Sequence, residues 1–198
     1  MTTAKPSRKQ QILESLAYML ETNQGERITT ANLAAEVGVS EAALYRHFPS
    51  KAKMFEALIE FVEETVFTRI NRITSNTAIE DDRLGQILTL MLSFADKNPG
   101  ICRILTGEAL TGEQERLRKR IIQFYNRLET QLKQSTREWA AANGHNVDAN
   151  LIAELLLNVV DGRIQVYVRS EFSRSPTENW QPQWESLYQG LLTGAGLK

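Results

Sequence analysis

The residues best suited to chemistry fall in one run, Ile28-Thr29-Thr30-Ala31-Asn32-Leu33-Ala34-Ala35-Glu36-Val37-Gly38-Val39-Ser40-Glu41-Ala42-Ala43-Leu44-Tyr45-Arg46-His47-Phe48-Pro49-Ser50-Lys51. Hydroxyls, a phenol, an imidazole, a guanidinium and an ammonium alternate there with small and apolar residues. Ala34 and Ala35 let two helices approach closely, Gly38 permits the tight turn between them, and Val39, Leu44 and Phe48 seat the second helix on the first. Ser40 caps that second helix, whose exposed first turn, Glu41, Ala42 and Ala43, is of a kind that reaches base edges in a DNA major groove. Glu41 suits the amino group of a cytosine and the alanines suit thymine methyls. Tyr45, His47 and Lys51 fall where they meet phosphates flanking the groove, and Thr30 approaches the backbone from the other helix. Thr29 and Arg46 complete the expected contact set, and the basic arm Lys5, Arg8 and Lys9 adds to it.

Covalent chemistry has little to work with. The chain holds only two histidines, His47 and His145, and one cysteine, Cys102. Without a Gly-rich phosphate loop, neither a metal cluster nor a nucleophile with its base assembles at a recognisable spacing, so no enzyme, metal or cofactor is expected. Cys102 lies in an apolar helical run and reads as a small buried hydrophobe. His145 beside Gly144 reads as an exposed loop residue.

These residues need rigid elements to hold them. A chain of 198 residues with 42% apolar composition can fill a core, and its formal net charge of −1 argues against wholesale coating of nucleic acid. From residue 1 to 53 seven cations face five anions, a net of +2 that leaves −3 for the remainder. The N-terminus carries no apolar stretch of the secretory kind, and no run approaches the roughly 20 apolar residues that cross a bilayer. The expected location is the cytoplasm.

Apolar residues recur at spacings of three and four almost throughout, which predicts an all-α fold of about nine helices. Ile12, Leu16, Met19 and Leu20 mark the first helix, the second follows Thr29-Thr30, and the third begins at Ser40 and ends at Pro49. A fourth runs from about Ser50 to Ser75-Asn76, a fifth from Glu80 to Asp96, and a short sixth from Pro99 to near Gly107. The seventh extends from about Gly112 to Trp139, the eighth is capped by Asp148, and the last carries Trp184, Leu187, Tyr188 and Leu191. The wide apolar face of the eighth, Leu151 to Val160, suggests a dimer. Asp161-Gly162-Arg163 interrupts it, either for close packing of Gly162 on a partner subunit or for a local ion pair. Arg116, Arg118, Lys119 and Arg120 read as a solvated basic face. The organisation expected is a DNA-reading part at 1–52 and a helical dimerisation and partner-binding part at 53–198.

The segment from about Arg8 to Phe61 resembles the DNA-binding domain of TetR-type regulators. That likeness implies an all-α homodimer, joined through its last two long helices, that binds double-stranded palindromic DNA. Leu155, Val159, Gly162, Leu187 and Leu191 are the corresponding dimer-interface residues. Most such proteins are ligand-released transcriptional repressors. Here, however, Asn98 to Leu110, Val168 to Phe172 and Arg174-Ser175-Pro176-Thr177 resemble the nucleoid occlusion factors of Gram-negative bacteria. This second resemblance implies a DNA-bound inhibitor of cell division that antagonises polymers of the tubulin-like GTPase FtsZ and needs no small-molecule ligand. The positions matching its FtsZ-facing surface are Phe61, Arg69, Leu90, Lys97 and Asn98. Lys97 stands where that family carries arginine, which keeps the charge and loses the bidentate fork. Ser93 replaces a usual glycine.

Overall fold

Ser7 opens the first helix by accepting the Gln10 amide on its hydroxyl at 3.2 Å, and α1 then runs Arg8–Thr22. The computed structural model describes residues 7–23, 27–76 and 82–190. Among these it contains eight further α-helices, a 3-10 turn at Glu108–Leu110 and no strand. They are α2 (Thr30–Val37), α3 (Glu41–His47), α4 (Lys51–Ser75), α5 (Arg83–Asp96), α6 (Pro99–Leu105), α7 (Glu115–Asn143), α8 (Ala149–Arg169) and α9 (Trp180–Tyr188). The all-α expectation is met. Gly112, held at φ 75°, delays α7 to Glu115. The predicted start of the fifth helix at Glu80 lies outside the described residues, which resume at Asp82.

The chain falls into two compact units, Met1–Val62 with Asn98–Ile121, and Glu63–Lys97 with Ile122–Lys198. In the first, α1 buries Ile12, Leu16, Met19 and Leu20 and packs on α2, α3 and α6. α6 comes closest. A Cβ added at Gly100 would stand 2.1 Å from the Ala17 carbonyl oxygen and 2.9 Å from the Glu21 amide nitrogen, so only glycine fits. One turn on, Arg103 is 4% exposed. Its Nη1 donates to the carbonyls of Leu20 at 2.9 Å and Asn23 at 3.0 Å, while Nε donates to Glu108 at 2.8 Å. Helix ends leave carbonyls unpartnered, and this guanidinium supplies what α1 lacks.

The basic run on α7 is largely the solvated face expected, with Arg116, Arg118 and Lys119 exposed, yet it also makes contacts within the unit. Arg116 pairs with Glu56 of α4 at 2.7 Å, Arg120 donates to the Glu56 carbonyl at 3.3 Å, and Arg118 donates to the Leu110 carbonyl at 3.4 Å. Only Lys119, paired with Glu115 at 3.0 Å, is a local surface contact. The Lys53 hydrogen bond, with the nearby charges of Arg116 and Arg120, holds the Glu56 carboxyl below its usual range against the opposing effect of burial. That contribution to stability is present above the ordinary carboxylate pKa and is lost as pH falls through the depressed folded value.

In the second unit, Phe67 meets Phe124 edge-on with ring centroids 5.4 Å apart, and Ile87, Leu88, Met91, Leu92, Ile152, Leu156, Val160 and Ile164 are buried. α8 continues unbroken through Asp161-Gly162-Arg163. Arg163 makes a long-range clamp instead of the local pair considered above: Nε donates to the Pro176 carbonyl at 2.7 Å, Nη2 to the Glu178 carbonyl at 2.6 Å and Nη1 to the Gln183 side chain. The indoles of α9 are also engaged, Trp180 with Thr89 and Trp184 with Asp82, each at 2.8 Å.

Gly100→Ala is expected to lower unfolding stability by about 2–3 kcal/mol, because the added methyl collides with backbone that cannot rotate away. Chemical denaturation of the variant checks this, and a loss under about 0.5 kcal/mol, the usual size for a surface change, would contradict it.

Candidate nucleic-acid interface

The turn between α2 and α3 is built as its residues require. Gly38 adopts φ 73° and ψ 39°, and the Val39 amide behind it reaches the Ala34 carbonyl at 2.9 Å, closing α2 in a Schellman-type cap. A Cβ at Gly38 would meet nothing within 4 Å, so glycine serves here for its dihedral freedom. Thr29 and Ser40 cap α2 and α3 by accepting the amides of Asn32 at 3.1 Å and Ala43 at 3.2 Å. Each hydroxyl keeps its own proton to donate to a phosphate. Phe48 is extended, at φ −136° and ψ 112°, as a residue before proline prefers, and the Ser50 hydroxyl accepts the Lys53 amide at 3.3 Å to start α4.

On the outer side of this pair, Glu41, Ala42, Tyr45 and Arg46 are exposed, while Ala43 and His47 are half-buried. Leu44 and Phe48 point into the core. Three of the predicted contact residues touch one another: the Thr30 hydroxyl donates to Glu41 Oε2 at 2.8 Å, and the Tyr45 phenol donates to Thr30 Oγ1 at 3.3 Å. Arg8 and Lys9 of the basic arm are exposed, with the Lys9 ammonium 5.9 Å from the centre of the Phe48 ring; Lys5 lies outside the described residues.

Lys51 stands apart from that group. Its ammonium is 2.6 Å from Glu113 Oε1 and 5.5 Å from the centre of the Phe55 ring, with 18% of the side chain exposed. Arg27 approaches the same carboxylate oxygen at 3.9 Å. Glu113, just after the left-handed Gly112, was invisible to sequence reasoning because 62 positions separate it from Lys51. Arg103 did leave a signal, a lone arginine inside the apolar Ile101-Cys102-Arg103-Ile104-Leu105.

Each of the remaining predicted residues is placed within its own unit. Phe61 is 46% exposed, more than core packing allows. Arg69 and Lys97 are exposed, and Leu90 and Asn98 are half-buried. On α8, Leu151 is 49% and Leu155 41% exposed, and a Cβ at Gly162 would meet nothing within 4 Å. Val159 and Leu187 are half-buried, and Leu191 lies outside the described residues.

Comparison with known proteins agrees with both halves of this description. Residues 22–58 match the family described as bacterial regulatory proteins of the tetR family, and residues 80–192 match the SlmA-like family described as tetracyclin repressor-like, C-terminal domain. The nucleoid occlusion factor SlmA of Alteromonas mediterranea is 56% identical over 93% of this chain and 96% of its own. The protein of the same name from Marinomonas sp. is 54% identical over 97% and 98%. Among solved structures, the fatty acid degradation regulator FadR from Bacillus halodurans superposes with a TM-score of 0.76 at 15% identity, covering 96% of this chain and 99% of that one. At that identity the likeness concerns the fold alone.

Glu113→Gln releases the Lys51 ammonium. Affinity for an unrelated duplex is expected to rise about threefold, the scale of a partly exposed ion pair, with a smaller gain on a selected site, and the salt dependence on the unrelated duplex to steepen by roughly one phosphate contact. Fluorescence anisotropy over a salt series checks this, and an unchanged slope would show that Lys51 does not meet DNA.

Proposed function

The chain belongs to the nucleoid occlusion factors of the tetR family, and on that premise we propose that it binds palindromic chromosomal sites as a homodimer and, so bound, inhibits assembly of the division septum over the nucleoid by antagonising FtsZ polymers. The observation that carries this reading is the reach of the similarity to the named occlusion factors, which runs through the C-terminal half as well as the DNA-reading head. Their names, and those of the tetR regulators, describe binding proteins rather than enzymes.

Geometry supports each part. α3 offers an exposed polar face with capped, rigid ends, which is what base reading requires. Residues 1–52 carry that reading, and 53–198 carry dimerisation and partner binding. Phe61 and Arg69, eight positions apart on the single helix α4, both reach solvent and are the proposed first contacts for FtsZ, joined by Leu90, Lys97 and Asn98. An exposed phenylalanine flanked by charge is the usual make-up of a protein-binding anchor. No helix among the described residues is long and apolar enough to cross a membrane, and the proposed location is the cytoplasm, on the nucleoid.

The direct test mixes assembling FtsZ with the protein, with and without a specific duplex, and measures pelleted polymer. Duplex-bound protein is expected to reduce the amount, length or order of polymer, and a duplex that never alters any of these would defeat the division reading. Phe61→Ala should retain DNA affinity within about twofold while losing most of the effect on FtsZ.

For the dimer, the proposed seam follows Leu151, Leu155, Val159 and Gly162 along α8. Gly162→Leu adds a side chain that nothing in its own protomer opposes. The expected product is a folded monomer with weakened palindrome binding, read by analytical ultracentrifugation, and an intact dimer would move the interface elsewhere.

A further inference from the structure

We propose that Thr30 is a positioning residue for base reading: it fixes the Glu41 carboxylate at the groove-facing end of α3 and thereby makes the protein select, at the base that carboxylate faces, cytosine or adenine over guanine or thymine. This inference rests on the DNA-binding part of the function proposed above and deepens it. Thr30, Glu41 and Tyr45 come from two helices and form one relay, phenol to hydroxyl to carboxylate, at 3.3 and 2.8 Å. The Thr30 oxygen accepts the Tyr45 proton, so its own proton is the one directed at Glu41 Oε2. Glu41 and Tyr45 are exposed and Thr30 is half-buried, so these bonds are not needed to satisfy fully buried groups.

Electrostatics give the relay its purpose. A glutamate brought up to DNA is repelled by the phosphates, and its flexible side chain would swing away into solvent. Held by Thr30 through one oxygen, it keeps Oε1 to accept a hydrogen bond. In the major groove the only base donors are the cytosine N4 and adenine N6 amino groups, whereas guanine O6 and thymine O4 present lone pairs. A fixed carboxylate is therefore rewarded by the first pair of bases and penalised by the second. A free one is rewarded less and penalised less, because it can move. Thr30 and Tyr45 thus add discrimination to the backbone contacts expected of them.

The test uses the full-length protein, a duplex selected from a random pool, its single-base variants and an unrelated duplex, with affinities measured by anisotropy at several salt concentrations. Thr30→Val is expected to weaken binding to the selected duplex by roughly tenfold, the scale of one lost base contact. Its binding to the unrelated duplex should weaken several-fold less, so that the ratio of the two affinities falls. Thr30→Ser, which keeps the hydroxyl, should restore the preference. Glu41→Gln should lose discrimination at the same base pair as Thr30→Val, and the double variant should lose no more than either alone. Equal weakening on both duplexes with a shallower salt slope would instead make Thr30 a phosphate contact and overturn the proposal. So would a Thr30→Val variant with unchanged discrimination. A wild-type protein that fails to discriminate any selected duplex would defeat the DNA reading itself, and this assignment with it.

Discussion

The guanidinium of Arg103 closes the end of α1, and the first unit is organised around that closure. A helix that stops within a protein leaves carbonyls needing donors, and Arg103 serves Leu20 and Asn23 while its charge is balanced by Glu108. Such a group is favourable only when fully engaged, because an unpaired buried cation is costly. The position of α6 against α1 is therefore set from two sides: Gly100 allows the backbones to touch, and Arg103 rewards them for doing so. α1 in turn packs on α2 and α3, so the recognition helix inherits its placement from an arginine 62 positions downstream of Glu41.

What the sequence revealed divides along the same physical line. Caps and turns depend on neighbours three or four residues away, so Thr29, Gly38, Ser40 and Asp148 announced their roles directly. The apolar stripes of α5, α7 and α8 were legible for the same reason. Ion pairs and hydrogen bonds between distant segments were not. Arg116 with Glu56, Lys51 with Glu113 and Arg163 with the 176–178 backbone each join residues whose separation carries no periodic signal. An exposed charge such as Arg116 can serve the fold as a tie as well. The candidate contact residues were named from their types, but the relay through Thr30 emerged only once α2 and α3 were set side by side.

The head is both acidic and basic at its working surface. Glu41 accepts the Thr30 hydroxyl and exposed Arg46 lies on the same helix, in a chain whose overall charge is close to neutral. Affinity for phosphate must then be concentrated locally, and the geometry of a few side chains weighs more than bulk charge. The two kinds of glycine show the same economy. Gly38 is needed for a dihedral angle and Gly100 for a contact, and no composition statistic separates them.

The pairing of Lys51 with Glu113 bears on how such a protein distributes itself over a chromosome. Arbitrary sequence outnumbers true sites by orders of magnitude, so occupancy depends on the ratio of specific to indiscriminate affinity multiplied by the abundance of each. If Lys51 meets a phosphate as proposed, it must first leave the Glu113 carboxylate, and it then adds least to casual encounters, which lack other contacts to drive the exchange. On that proposal the ion pair is a threshold, one that discounts the crowded background and leaves the sparse, well-fitted sites to hold the protein.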